Sequence, residues 1–175
     1  LLVLSSKGVL GFNKSIDELY FKQIENNIHK FIGLEQFKKS HRFSIKDLLI
    51  HKDKIFIAYT DEINQDCWNT SVIYGDINYK NIQFKKFFSA DECIHSSDNP
   101  DNEFEPHQSG GRMISFDNSH ILLSVGEYRN RHLAQNKEIA RINCERRIWK
   151  MNMSRLQNRH YVVGFGSKTR VRTII

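Results

Sequence analysis

The order of apolar and polar residues after residue 43 predicts short β-strands separated by tight turns. β-Branched and aromatic residues fill each apolar run, and polar residues, such as those at 51–54, separate the runs. No long stretch of helical periodicity follows residue 43, which argues against a doubly wound α/β fold. The first series of predicted strands covers residues 43–50, 55–60, 67–77 and 82–88.

The second of these strands is apolar on both of its faces. Successive side chains of a strand point to opposite sides, and within residues 55–60 the odd-numbered and the even-numbered residues are both largely apolar. A strand with one wet face alternates more cleanly than this. We therefore expect neighbouring sheets to cover this strand on both sides.

A second series of strands repeats the order of the first, 66 residues later when counted from Ile55 to Ile121. An Asp-containing turn at residues 117–119 separates its first two strands, and a long loop precedes the third. Repeated meanders of this kind, each with two faces to bury, are typical of β-propeller blades, with an open β-sandwich as the alternative. The predicted strands are residues 111–116, 121–126, 147–152 and 161–164.

The N-terminal part predicts a further, incomplete blade over residues 1–40. Residues 1–12 are apolar apart from a Ser-Ser-Lys-Gly interruption, whereas residues 19–31 fit either strands or an amphipathic helix. Residues 43–90 and 111–164 form the next two predicted blades, so we expect an all-β, partial propeller domain over residues 1–175. Both ends interrupt apolar segments, which indicates a fragment of roughly two to two and a half blades.

The positive charge of the chain permits binding to nucleic acid but does not favour it. The 26 Lys and Arg residues exceed the 20 Asp and Glu residues, which gives a net charge of +6. Basic residues concentrate after Arg129, without helical spacing and without interleaved aromatic residues, as on a solvated basic surface. No apolar run approaches the ~18 residues of a membrane helix. We expect neither a nucleic-acid partner nor a membrane span.

The three cysteines are too few for a disulfide scaffold and lack the paired spacing of a zinc site. If the third and fourth strands of the first series form a hairpin that turns near Asn78, Cys67 lies opposite Ala90 and close to Cys93. A short bridge is then within reach, so we predict a Cys67–Cys93 disulfide, with two reduced buried thiols as the alternative. The bridge indicates an oxidising compartment such as the periplasm. Cys144, in a charged segment, is expected to be free.

Four short motifs follow one another in the second half of the chain. They are Gly110-Gly-Arg-Met-Ile-Ser-Phe-Asp117, Leu122-Leu-Ser-Val-Gly-Glu127, Ala134-Gln-Asn136 and Arg147-Ile-Trp-Lys-Met-Asn152. In order and separation they resemble motifs of the soluble quinoprotein sugar dehydrogenases, the glucose/sorbosone dehydrogenase family. Each motif alone is weak, and the specificity comes from the four together. The resemblance extends over residues 43–152 and thins out at both ends.

The resemblance implies a six-bladed β-propeller with pyrroloquinoline quinone (PQQ) over its axial opening and calcium to orient and polarise the quinone. It also implies oxidation of a sugar or another alcohol by a His base just before the Gly-Gly-Arg motif. This base removes a hydroxyl proton while hydride passes to the quinone, a task that suits imidazole near neutral pH. His107 is the candidate base, and Gln108 and Arg112 are the candidate cofactor contacts.

The spacing around His107 departs from the family pattern. The family's His lies three or four residues before the Arg, whereas His107 lies five residues before Arg112, so Gln108 or Ser109 matches unless a local bulge intervenes. Structural roles are the alternatives: His107 as a solvated or capping loop residue, and Arg112 as the partner of a carboxylate such as Glu127.

Two other segments bear on cofactor and metal binding. The family's quinone-contacting Arg-Asn-Pro is expected after Gly164, where the chain has Phe-Gly-Ser-Lys-Thr-Arg170 instead, and the later blades that supply calcium ligands lie outside this chain. Residues 98–103 are rich in oxygen ligands, but they lack the ligand-Gly spacing of a calcium loop. An acidic, solvated turn is the favoured interpretation of this loop.

Two functions fit the sequence. The first is part of a periplasmic or extracellular quinone-dependent oxidoreductase acting on a small-molecule sugar or alcohol, with residues 1–175 inactive by themselves. The second is a β-propeller that binds or scaffolds other molecules without redox chemistry. The presence of Arg-Asn-Pro and of further basic cofactor contacts downstream of this chain would favour the first function over the second.

Overall fold

The chain has an all-β fold, as the sequence predicts. The computed structural model describes residues 1–89, 93–130, 147–152 and 161–164. In this part of the chain, antiparallel strands are accompanied by one short α-helix, α1 (Leu34–Lys39), and by short 3₁₀ turns. No helix in these residues is long and apolar enough to cross a membrane.

The N-terminal residues form a three-stranded antiparallel sheet in the order β1, β2, β3. A further two-residue strand, β4, follows it directly. The strands are β1 (Leu2–Leu4), β2 (Leu10–Phe12), β3 (Lys22–Gln23) and β4 (Glu25–Asn26).

The central sheet contains the first predicted meander and confirms its first three strands. The predicted fourth strand, residues 82–88, is divided: Asn81–Ile82 pairs with a strand of the N-terminal part, and Lys85–Ser89 joins the central sheet. Three long strands lie side by side, and two short strands, β9 and β10, share the free edge of β7. The strands from here to β10 are β5 (Ile45–His51), β6 (Lys54–Asn64), β7 (Cys67–Asp76), β8 (Asn81–Ile82), β9 (Lys85–Ser89) and β10 (Ile94–His95).

The ambiguous segment at residues 19–31 is not an amphipathic helix. It divides into β3, β4 and a 3₁₀ turn (Ile28–Lys30). β4 pairs in parallel with β8, with Glu25 opposite Asn81. Because this partner is distant in the sequence, the local spacing of apolar residues does not reveal it.

The third sheet confirms the second predicted series. Its strands pair consecutively in the order β11, β12, β13, β14. Gly110 pairs with Val125 and Met113 pairs with Leu123, so β11 contains one extra residue, a β-bulge, between Gly110 and Met113. The strands are β11 (Gly110–Asp117), β12 (His120–Val125), β13 (Arg147–Asn152) and β14 (Tyr161–Gly164).

The central sheet is covered on both faces, as the two apolar faces of β6 predict. Ile55, Ile57 and Tyr59 pack with residues of the N-terminal part such as Leu10, Ile24 and Ile28. On the opposite face, Phe56 and Ala58 pack with residues of the third sheet. Full burial of an aliphatic or aromatic side chain stabilises a fold by roughly 1.5–3 kcal/mol, so these two layers hold the three sheets together. The residues from the third sheet are Met113, Ile121, Leu123 and Val125.

The first strands of the central and third sheets, β5 and β11, also meet directly. The Met113 N–H donates to Asp47 Oδ2 over 2.7 Å, and His51 Nδ1 lies 2.8 Å from Ser115 Oγ near the other end of β5. A Cβ on Gly111, which has φ +95°, would lie 2.5 Å from Lys46 Cβ. Glycine is therefore required at this position both by the backbone conformation and by the close approach of β5.

Candidate functional site

Three loops meet at the end of the sheets where β5 and β11 begin. Residues 40–44 lead into β5, residues 96–109 lead into β11, and residues 126–130 follow β12. The Glu105 N–H donates to the Tyr128 carbonyl over 2.9 Å, and the Gly126 N–H donates to the Ser109 carbonyl over 2.7 Å. These bonds hold the 3₁₀ turn Pro106–Gln108, which carries His107 and Gln108, against the third sheet.

The Glu105 carboxylate is the centre of this loop cluster. Its Oε2 lies 2.9 Å from His107 Nδ1 and 2.6 Å from Arg42 Nη1, and its Oε1 lies 3.8 Å from Arg129 Nη1. Arg129 also pairs with Glu103 at 2.7 Å. A carboxylate this close to an imidazole nitrogen orients the ring and favours the tautomer with hydrogen on Nδ1. The His107 side chain is 50% exposed, so the ring is accessible to a ligand.

Lys46, near the start of β5, bonds to two of these loops, residues 40–44 and residues 96–109. Its ammonium donates to the carbonyls of Arg42, over 2.9 Å, and Pro106, over 3.1 Å. Burial lowers the pKa of Lys46 to about 8 because the charged form loses hydration. The partly buried Lys46 ammonium thus holds Pro106, the residue before His107.

The depressed pKa of Lys46 predicts a pH dependence of stability. Between about pH 8 and 10.5 the unfolded chain binds more protons at this position, so the free energy of unfolding rises with pH over that window. Burial raises the pKa of Tyr59, which acts in the opposite direction above about pH 10, so the window is best studied below that value. Urea titrations across the window measure the slope.

The Lys46→Met variant removes the titrating group, and we expect its unfolding free energy to rise less with pH than that of the unsubstituted protein. The exposed Lys7 provides the matched control, Lys7→Met, which should keep the original slope. Equal slopes in all three proteins would contradict the assignment.

The Gly-Gly-Arg motif serves first to bring strands together. Gly110 has φ +76°, and a Cβ there would lie 2.8 Å from the Ser124 carbonyl oxygen and the Gly126 nitrogen. Arg112 is 80% exposed, and its Nη1 lies 3.7 Å from Asp47 Oδ1. The structure thus gives Arg112 the Asp47 carboxylate on β5 as a partner, where the sequence suggested a carboxylate such as Glu127.

The alternatives to His107 differ in their exposure. Ser109 is completely buried; its carbonyl accepts a hydrogen bond from Thr70 Oγ1 over 2.8 Å, and its hydroxyl lies 3.4 Å from Thr60 Oγ1. A residue enclosed in this way does not reach a ligand. Gln108 is exposed beside His107, so these two neighbours present their side chains to solvent.

A groove of about 420 Å³ adjoins the loop cluster. Pro106 and Arg42 line it, so it begins next to His107 and Glu105. The Phe43 and Trp68 rings, which stack at 3.6 Å, form part of its wall. Small-molecule sites commonly have this size and combine aromatic side chains with a few polar groups. The other lining residues are Lys39, Ser40, His41, Asp66, Ser96 and Phe104.

The structure pairs Cys67 with Cys93 in a disulfide, with Cα atoms 5.2 Å apart. The register beside it differs from the expected one, since Cys67 lies opposite His95 and not Ala90. The reason is that two strands, β9 and β10, share the edge of β7: Ser71 pairs with Ser89, and pairing resumes at Trp68 with Ile94.

The oxygen-rich loop at residues 98–103 closes on itself. Asn99 Nδ2 donates to the carbonyls of Glu103 and Arg129, and Asn99 Oδ1 accepts the Asp101 N–H over 3.0 Å. Three further features of the sequence lie outside the described residues: the Ala-Gln-Asn motif at 134–136, Cys144, and the segment after Gly164.

No protein-family model matches the chain, and no curated protein matches it. Among solved structures, the chain resembles a glucose dehydrogenase. The two chains are 12% identical, and the match covers 86% of this chain and 43% of the other, with a TM-score of 0.53. At this identity the match shows a shared fold. The chain spans less than half the length of that glucose dehydrogenase.

The sequence motif pointed to His107, Gln108 and Arg112 as candidates, but it did not reveal the residues around them. Glu105 and Arg42 were not singled out, although the spacing of Glu105 and His107, separated only by Pro106, was a usable signal. Arg42 comes from a loop 63 residues away from Glu105, and no local pattern indicates such a contact.

Proposed function

We propose that this chain is part of a β-propeller sugar dehydrogenase of the glucose/sorbosone dehydrogenase type. In this proposal it oxidises a sugar or another alcohol, with PQQ as the hydride acceptor and His107 as the base. The contact between His107 Nδ1 and Glu105 Oε2, 2.9 Å long and beside an open groove, carries the proposal. The fold shared with a glucose dehydrogenase supports it.

His107 takes the hydroxyl proton of the substrate. His107 Nδ1 lies 2.9 Å from Glu105 Oε2, and in this proposal Nδ1–H turns to the carboxylate when substrate binds, so that the neutral ring offers the lone pair of Nε2 to a hydroxyl group. As the proton arrives, Glu105 stabilises the imidazolium that forms. Arg42 Nη1 donates to the same oxygen, Glu105 Oε2, over 2.6 Å and helps to keep the carboxylate in place. In this proposal the carboxylate orients the His107 ring and favours one tautomer.

The bulge in β11 supports His107 over its neighbours as the matching residue. One extra residue lies between Gly110 and Met113, and in this proposal it takes up the additional residue between His107 and Arg112. Ser109, one of the two alternatives, is fully buried, which also favours His107.

The donor set at this end of the sheets suits an anionic quinone. PQQ carries carboxylates, and when bound it supplies the carbonyl that receives hydride. The exposed Arg112 guanidinium and the exposed Gln108 amide would hold these groups by charge-assisted and neutral hydrogen bonds. Calcium is assigned no ligands, because the described residues gather no group of three carboxylates at this end.

The Cys67–Cys93 disulfide supports a periplasmic or extracellular location, which is part of this proposal. Disulfides persist in oxidising compartments and are rare where thioredoxin and glutathione keep thiols reduced.

Reconstitution tests the proposed function. The full-length protein, loaded with PQQ and Ca²⁺, is expected to reduce an electron-accepting dye with at least one aldose or simple alcohol, whereas the protein without PQQ should not. Thermal unfolding measured in parallel reports whether PQQ binds. If neither dye reduction nor a PQQ-dependent thermal shift is observed, the dehydrogenase proposal fails and a non-catalytic binding or scaffold module remains as the function.

A further inference from the structure

Cys67, Cys93 and His95 place three metal-ligating side chains together at the edge of the central sheet. Cys67 in β7 lies directly opposite His95 in β10, and opposed residues of an antiparallel pair point to the same face. Cys93 precedes His95 by two residues, and alternate residues of an extended segment also share a face. The two sulfur atoms and one ring nitrogen of His95 all lie within 4.8 Å of one another.

We propose that these three residues form a site for a thiophilic divalent metal ion such as Zn²⁺, which opens when the Cys67–Cys93 disulfide is reduced. Thiolate and imidazole are ligands that Zn²⁺ prefers, and three protein ligands leave the fourth tetrahedral position to water. Hard cations such as Ca²⁺ and Mg²⁺ select oxygen ligands and are disfavoured here. Because a sulfur atom binds the metal only as a thiolate, the disulfide and the metal exclude each other.

An external dithiol serves as the reductant. One of its thiolates attacks the sulfur of Cys93, because Cys67 is only 2% exposed and Cys93 is more accessible. The S–S bond breaks, Cys67 leaves as a thiolate, and a mixed disulfide forms at Cys93. The second thiol of the reductant then displaces Cys93, so the reductant becomes a disulfide and the protein gains two electrons and two protons. Metal binding releases the remaining thiol protons.

Asp66 adds a negative charge beside this site. Its Oδ2 accepts a hydrogen bond from Ser96 Oγ over 2.6 Å, and its Oδ1 accepts one from Trp68 Nε1 over 3.1 Å. Asp66 immediately precedes Cys67 in the chain and is bonded to Ser96, which follows His95, so its carboxylate lies near the three ligands and its negative charge attracts a cation.

Cobalt binding tests the proposal, which does not depend on the proposed dehydrogenase function. The Cys144→Ser variant is reduced with dithiothreitol. The dithiothreitol is then removed under anaerobic conditions, and the protein is titrated with Co²⁺. We expect a thiolate-to-cobalt charge-transfer band and the visible bands of tetrahedral Co²⁺, saturating at a single ion per chain and lost on addition of Zn²⁺. The His95→Ala variant should bind Co²⁺ about tenfold or more weakly, since it lacks one ligand. The His29→Ala variant, which removes another exposed imidazole, should bind like the parent.

Circular dichroism of the reduced protein, recorded before the titration, separates a folded site from thiols of an unfolded chain. Unfolding on reduction, absence of the charge-transfer band, or equal affinities of the His95→Ala and His29→Ala variants would each overturn the proposal. The oxidised protein should show no thiolate band, and a band there would also contradict the mutual exclusion of disulfide and metal.

Discussion

Replacing His107 with Asn is expected to lower kcat/KM for sugar oxidation by about 10² to 10⁴, the range that a positioned general base contributes. Asn keeps the polarity and the approximate size of the side chain but does not accept a proton from a hydroxyl group. The thermal shift produced by PQQ should remain, because the substitution removes proton transfer and leaves the exposed Arg112 in place. Steady-state dye reduction and thermal unfolding with and without PQQ measure the two effects.

Two further variants make this result specific. His29→Asn alters another exposed imidazole, on the 3₁₀ turn after β4, and should keep the original turnover. Glu105→Gln preserves a hydrogen-bond acceptor for Nδ1–H but removes the charge, so it should change the pH profile of kcat while retaining part of the activity. Undiminished turnover in His107→Asn would show that another group takes the proton.

Loss of the Cys67–Cys93 disulfide is expected to lower the free energy of unfolding by about 3.5 kcal/mol, as the loop-closure relation gives for a cross-link of this length. The bridge closes a loop over a separation of 26 residues and holds β10 against the start of β7. Next to it, Trp68 is 1% exposed and stacks on Phe43, so loosening this edge also weakens the groove wall. Urea unfolding of the Cys67→Ser/Cys93→Ser variant measures the effect.

Reductant provides the matched comparison for the disulfide. Addition of a dithiol should destabilise the unsubstituted protein and the Cys144→Ser variant by similar amounts, and it should leave the double variant unchanged. Alkylation without prior reduction, followed by mass measurement, should modify Cys144 but neither Cys67 nor Cys93. Modification of all three thiols in the unreduced protein would show that the bridge does not form in solution.

Much of the fold could be predicted because it is encoded locally. The apolar residues on both faces of β6 are a property of one short segment, and they indicated correctly that sheets cover it on both sides. Helix α1 was not predicted, because it is only six residues long and its one buried residue is the polar Gln36. Gln36 is buried through its hydrogen bond to the Thr60 carbonyl, 2.7 Å away, which leaves no periodic apolar stripe to detect.

The candidate site was less predictable because its contacts join distant loops. The motif pointed to His107 and Arg112, but Glu105 and Asp47 became their partners only when β11 packed beside β5. The β11 bulge is a property of its pairing with β12, so the sequence spacing alone does not reveal it. In the same way, Cys67 pairs with His95 and not with the expected Ala90, because two strands, β9 and β10, share the edge of β7.

A single-turnover measurement tests the central claim most directly. PQQ-loaded full-length protein is mixed with a sugar in the absence of oxygen and dye, and the absorption of the bound quinone is followed over time. We expect the quinone to be reduced in one phase, more slowly when the hydrogen on the reacting carbon is replaced by deuterium, and far more slowly in the His107→Asn variant. A bound quinone that stays oxidised with every aldose and alcohol tested would contradict the proposal that this fold and His107 carry out sugar oxidation.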